Sequence, residues 1–73
     1  MEDVTYTKGI YTATAAVRPV DDGLYQGVVS LARDDGDEQE NTLYEVEATS
    51  ATPEEALEEA KALAHRILGE IEF

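Results

Sequence analysis

The fold of this chain is decided by the stretch from Ala51 to Gly69, which reads ATPEEALEEAKALAHRILG. Its pattern predicts one amphipathic helix with a signal at each end. Thr52 is a suitable N-cap, because its hydroxyl can accept a hydrogen bond from an unpaired amide of the first turn. Pro53 suits the first helical position, and Glu55 completes a Thr-x-x-Glu capping box. We expect Gly69 to end the helix in the left-handed conformation.

The predicted helix, over about residues 53–68, has an apolar side and an acidic side. Apolar residues recur every three or four positions, which is the spacing of a helix that covers a core. They are Ala56, Leu57, Ala60, Leu63, Ala64, Ile67 and Leu68. Because alanine recurs in this stripe, we expect the helix to approach its supporting surface closely.

The chain before the helix alternates between apolar and polar residues, which is typical of half-buried antiparallel strands. The alternation predicts strands at about residues 10–18, 24–33 and 42–49. The predicted fold is therefore α+β: a three-stranded antiparallel β-meander with one C-terminal α-helix packed on one face, in the order β-β-β-α. We expect a single domain over residues 1–73.

The segments between these strands carry turn signals. Asp21-Asp22-Gly23 is a hairpin signal, and Asp34-Asp35-Gly36-Asp37 predicts a second, acidic turn. Residues 1–8 are polar and acidic, so we expect them to be flexible, with Gly9 as a hinge into the first strand.

A helix on one side of such a sheet leaves the other face uncovered. Uncovered faces and open edges favour association, either by dimerisation or by addition of a strand from a partner. The candidate interaction face consists of Arg18, Leu24, Gln26, Val28, Leu43, Glu45 and Glu47. A simpler interpretation is that Arg18 or Arg33 pairs with Glu45 or Glu47 across strands.

The formal net charge is -12, from 17 acidic and 5 basic residues. This charge disfavours binding to nucleic acid, whose phosphates attract basic surfaces. It is typical either of a solvated acidic surface or of a halophilic cytoplasm, where molar salt screens repulsion beyond about 3 Å. Both interpretations stay open.

Cysteine is absent from the sequence, which fits a reducing cytoplasm. We find no apolar run near the roughly 20 residues of a membrane helix, and no signal peptide is expected. The sequence therefore predicts a cytoplasmic protein with no membrane partner.

Candidate catalytic and metal-binding residues are few. His65 is the only histidine, and no serine lies in the context of an activated nucleophile. The acidic run at residues 34–41 departs from the spacing of an EF-hand calcium loop. Tyr11, Tyr25 and Tyr44 are expected to pack in the core. We therefore predict no catalytic residue, no cofactor and no metal site, and the chain is not expected to be an enzyme.

The order of these elements resembles that of small HicB-like antitoxin domains. The resemblance rests on Asp22-Gly23-Leu24-Tyr25, which is similar to their Asp-Gly-x-Tyr hairpin, and on Thr52–Ala56, which is similar to their Thr-x-Glu-Glu-Ala helix start. It covers about residues 11–68 and extends also to other small β-β-β-α families of unknown function. It implies a β-meander with a helix and, by analogy, binding of a small basic toxin.

These observations predict a small acidic, non-catalytic protein-interaction module. Its partner would be a protein, small and basic in the antitoxin-like case, or a second copy in a homodimer. The alternative is a nucleic-acid-binding domain of double-stranded-RNA-binding shape, which the charge makes unlikely.

Overall fold

The computed structural model describes residues 3–70, which form one antiparallel sheet and one long helix. The elements are β1 (Val4–Lys8), β2 (Tyr11–Pro19), β3 (Tyr25–Asp35), β4 (Glu38–Glu45) and α1 (Pro53–Glu70), with a short 3-10 turn at Asp21–Gly23. The strands pair in chain order, β1-β2-β3-β4. The predicted α+β class and the C-terminal helix are confirmed.

The predicted number of three strands is wrong, because Val4–Lys8 forms a fourth strand. Val4 and Tyr6 pack against the core, and a turn at Gly9, with a φ of 61°, carries the chain back into β2. Residues 4–8, which were expected to be flexible, thus form a strand paired with β2. The part of that prediction that concerns residues 1–2 lies outside the described residues.

The β3–β4 hairpin is longer than predicted. β3 continues to Asp35, and β4 begins at Glu38, so only Gly36 and Asp37 form the turn. Gly36 has a φ of 64°, which glycine adopts easily and which permits so tight a turn. Most of the acidic run was expected to lie in a loop, but it lies in the paired strands β3 and β4.

β4 also ends earlier than the predicted limit at residue 49, because the chain bends away after Glu45. The Val46 amide still donates to the Gly27 carbonyl at 2.9 Å. The chain then bulges outward and returns at Ser50, which exchanges two backbone hydrogen bonds with Tyr25, at 2.8 and 2.7 Å. This bulge places residues 46–48 beside the helix.

The core lies between α1 and the centre of the sheet. The buried side chains are mostly small, as the alanine-rich stripe predicted, and all but Leu68 are fully buried: Ala13, Ala15, Val29, Ala60, Ala64 and Leu68. Since small side chains face each other on both layers, the helix approaches the strands closely. α1 packs mainly on β2 and β3 and also reaches β1.

The two ends of α1 differ in how well they were predicted. The Thr52 hydroxyl accepts a hydrogen bond from the Glu55 amide at 3.2 Å, so the predicted N-cap is confirmed. The predicted C-terminal role of Gly69 is wrong, because α1 continues to Glu70 and Gly69 does not have a positive φ. Instead, the Lys8 ammonium donates to the Leu68 carbonyl at 2.9 Å. A cation from β1 thereby satisfies one of the terminal carbonyls that a left-handed glycine would otherwise help to satisfy.

The predicted hairpin turn between β2 and β3 is confirmed. Asp22 and Gly23 both have positive φ, at 56° and 74°. The Val20 amide donates to the Leu24 carbonyl at 2.9 Å, and the Leu24 amide donates to Asp21 at 3.1 Å. Aspartate and glycine suit these positions because both tolerate the left-handed conformation.

Candidate functional site

The face of the sheet opposite α1 carries short, uncharged side chains at its centre. Two rows cross all four strands at paired positions: Thr5, Thr14, Ser30 and Leu43, and then Thr7, Thr12, Ala32 and Asn41. Threonine is common on the solvated face of a sheet, because its β-branched side chain fits extended backbone. These rows are therefore ordinary for an exposed face.

At one end of this face, three polar side chains from three strands bind one another. The Arg18 guanidinium donates to the Gln26 side-chain oxygen at 3.1 and 2.8 Å, and it lies 3.1 Å from the Glu45 carboxylate. The Gln26 amide in turn donates to the Val46 carbonyl at 2.9 Å. The cross-strand pairing expected for Arg18 is thus confirmed, and the network satisfies groups that a partner would otherwise use.

The structure brings together five of the seven predicted interface residues. Arg18, Gln26, Val28, Leu43 and Glu45 share the open face through the strand register. Leu24 lies in the turn before β3, where it is exposed. Glu47 lies in the bend after β4 rather than in a strand, and it lines a groove beside α1.

Arg33 pairs with carboxylates other than those expected. Its guanidinium lies 3.0 Å from Asp35 and 3.6 Å from Glu40, near the tip of the β3–β4 hairpin. Lys61 similarly lies 3.5 Å from Glu58 on the helix. The basic side chains are therefore dispersed among acidic ones, and residues 3–70 present no basic patch of the kind that binds phosphate backbones.

The two edges of the sheet are protected to different extents. At β1, the Tyr6 ring stacks against His65 with centroids 4.3 Å apart, and Lys8 is bonded to the end of α1. At β4, all eight side chains are exposed. Two of them are large and apolar: Leu43 is 57% exposed and Tyr44 is 37% exposed. α1 thus covers the helix-facing side chains of β1, whereas all side chains of β4 stay exposed.

Successive residues of β4 direct their backbone amides and carbonyls alternately toward β3 and away from it. Because Val46 donates to Gly27, the even-numbered residues of β4 direct their backbone groups toward β3. The amides and carbonyls of Gln39, Asn41 and Leu43 therefore face away from β3, along the edge of the described sheet. Such a row is able to pair with another extended strand.

A groove of about 660 Å³ separates the exposed flank of α1 from the end of β4. Its lining combines apolar side chains with three glutamates and with one arginine, which belongs to α1. The lining residues are Tyr44, Glu45, Val46, Glu47, Ala48, Glu59, Ala62, Leu63 and Arg66. The Glu59 carboxylate accepts a hydrogen bond from Ser50 at 3.2 Å, which ties the bulge to the helix.

Within residues 3–70, no three histidine, cysteine, aspartate or glutamate side chains are grouped to hold a metal ion. His65 is exposed and stacked on Tyr6. The same residues contain no helix that is both long and apolar enough to cross a membrane.

Comparison with protein-family models, curated proteins and solved structures gave no match. The HicB-like resemblance thus stays a prediction.

Sequence reasoning predicted open edges but missed the first half of β4, because it placed residues 38–41 in an acidic turn. A signal was present, since charged residues at Glu38 and Glu40 alternate with the amides Gln39 and Asn41. An exposed edge strand of this kind has no apolar alternation to reveal it. The groove could not be predicted, because it depends on where the helix lies across the sheet.

Proposed function

We propose that this chain is a non-catalytic protein-interaction module that binds a basic protein partner. The observation that carries the proposal is the uncovered edge at β4, where all side chains are exposed and three of eight are glutamates. Carboxylates along an open edge attract a partner of opposite charge and select against acidic ones.

A basic partner fits this surface better than a second copy of the chain. Each copy carries a net charge of -12, so two copies repel one another at low ionic strength. Pairing two β4 strands would also bring together their six glutamates, and like charges placed opposite one another destabilise a strand pair. Self-association is therefore the less favoured form of this proposal at low ionic strength, and molar salt would weaken the repulsion that opposes it.

The HicB-like resemblance agrees with this function, because such domains bind small basic toxins. The double-stranded-RNA-binding alternative gains no support from the charge distribution. Arg18, Arg33 and Lys61 each lie beside carboxylates, which reduces what they can offer to phosphate.

We place the function in the cytoplasm, because the sequence has no cysteine. We also propose that the acidic surface is adapted to high salt. At about 1 M salt, interactions between charges more than about 3 Å apart are screened. Recognition in such a cytoplasm therefore depends on direct contacts at the β4 edge and not on long-range attraction.

The test is affinity capture from the native lysate at the ionic strength of that cell, read by mass spectrometry. The test variant carries Glu38→Lys and Glu47→Lys, at the edge strand and the groove. The control carries Asp3→Lys and Glu70→Lys, beside β1 and at the end of α1. Both variants change the net charge from -12 to -8, since each substitution adds two charges.

We expect the wild type and the control to retain the same basic protein, and the Glu38→Lys, Glu47→Lys variant to lose it. Loss from both variants would mean that net charge alone governs capture. Recovery of only untagged copies of the chain would favour the homodimer instead.

A further inference from the structure

The open backbone edge of β4 and the neighbouring groove lie side by side, which suggests how a partner would be held. We propose that a partner segment adds to the sheet as a fifth strand along β4, with an apolar side chain in the groove beside Tyr44. This inference rests on the proposed function, because it specifies how the basic partner binds.

The backbone of β4 presents hydrogen-bonding groups along the edge of the described sheet. Asn41 and Leu43 direct their amides and carbonyls away from β3, as deduced from the Val46–Gly27 hydrogen bond. A partner strand that pairs there makes its main-chain hydrogen bonds without disturbing the existing sheet. This is the geometry of β-augmentation, in which the main chain supplies affinity and alternate side chains supply specificity.

The helix side of β4 has space for side chains of an added strand. Tyr44 and Thr42 lie on that side, as Tyr44 pairs with the buried Val29, yet both are exposed because α1 scarcely reaches them. Alternate side chains of an added strand would point into the groove, whose apolar wall includes Val46 and Leu63. One aliphatic side chain there would cover apolar surface that is now exposed, which favours binding.

The charges of β4 determine which other residues an added strand should carry. In an antiparallel fifth strand, the residue opposite Tyr44 should be apolar, whereas those opposite Glu38, Glu40 and Glu45 should be basic. The occupant is therefore an extended basic segment with an aliphatic residue near its N-terminal end.

The probe is the capped octapeptide Lys-Leu-Val-Thr-Thr-Lys-Thr-Lys, written so that its first residue lies opposite Glu45 and its last opposite Glu38. The control peptide has prolines in place of the threonines opposite Asn41 and Gln39. These substitutions keep the charge of the peptide and remove amides that would pair with β4. Each peptide is titrated into the full ¹⁵N-labelled chain at about 0.15 M salt. Amide hydrogen exchange is then followed residue by residue.

We expect the octapeptide to bind and to slow exchange of the Asn41 and Leu43 amides by about tenfold or more, whereas the proline peptide does neither. Asn41→Pro should abolish this binding, because it removes an outward amide and spares the β3 ladder. If Asn41→Pro does not fold, Leu43→Lys provides the second test, since it adds a repelling charge at the same edge.

Three outcomes would overturn the inference, and they separate it from the function on which it rests. Equal binding of both peptides without slower exchange at Asn41 and Leu43 would leave a basic partner but exclude strand addition. Slower exchange in β1 would place the added strand at the other edge. Binding of neither peptide below about 1 mM would count against both the inference and the proposed function.

Discussion

Gly27 of β3 lies directly beneath Ala60 of α1, with no room between them for another carbon atom. A β-carbon placed on Gly27 would lie 3.0 Å from the Ala60 β-carbon and 2.5 Å from the Ala56 carbonyl oxygen. The second distance is too short for any real contact, so the helix would have to move. The absence of a side chain at Gly27 is therefore what lets the helix lie on the sheet.

Gly27→Ala should destabilise the fold by about 1–3 kcal/mol, the usual cost of overpacking a close-packed core. For a domain of this size, that corresponds to a fall in melting temperature of about 4–8 °C per kcal/mol. Thermal unfolding followed by circular dichroism measures it. An unchanged melting temperature would show that the helix can shift at no cost.

Gly69→Ala is the matched change at a position with open space, and it should have the opposite sign. A β-carbon on Gly69 meets nothing within 4 Å, and the residue lies inside α1. Alanine in place of a helical glycine stabilises by about 0.5–1 kcal/mol. A loss of stability would indicate that Gly69 ends the helix in solution, as the sequence suggested.

Ala60→Glu should abolish cooperative folding, because it places a carboxylate at a fully buried position with no partner for its charge. Ala62→Glu, two residues further along α1, is the control, since Ala62 is exposed. The measurement is urea unfolding followed by circular dichroism. A normal transition for Ala60→Glu would contradict the packing of α1 on the sheet.

Salt should stabilise the fold, because five carboxylates lie near the tip of the β3–β4 hairpin beside a single arginine. They belong to Asp34, Asp35, Asp37, Glu38 and Glu40, with Arg33 between β3 and β4. Screening weakens their repulsion, so we expect the melting temperature to rise between about 0.1 and 1 M KCl.

The matched control for the salt effect is a variant with Asp34→Asn and Asp37→Asn, neither of which changes the length of a side chain. It should be more stable than wild type at low salt and respond less to KCl. If wild type and variant respond equally, hairpin repulsion is not the cause of the salt dependence.

The Arg18–Glu45 pair should add less than about 1 kcal/mol to stability, because both side chains are well exposed, at 44% and 51%. A double-mutant cycle with Arg18→Ala and Glu45→Ala measures this coupling in urea unfolding. A coupling well above that value would mean that the Arg18–Gln26–Glu45 network organises the three strands.

The sequence by itself determined the features whose signals lie within a few neighbouring residues. The N-cap at Thr52, the alanine stripe of α1 and the turn at Asp22-Gly23 were all predictable, because each depends on local hydrogen bonds or on helical periodicity. The alternation of β2 and of most of β3 likewise marked which residues face the helix.

Only the tertiary structure decided the features that depend on distant pairing. β1 pairs with β2 across the turn at Gly9, and its helix-facing side contacts the far end of the chain. Lys8 donates to the carbonyl of Leu68, 60 residues away, and the Tyr6 ring contacts His65. The length of β4 follows from its register with β3, and its polar, exposed residues carry no apolar alternation that would mark it. The position of α1 across the sheet is fixed by contacts between remote segments, so a short window of sequence does not contain it.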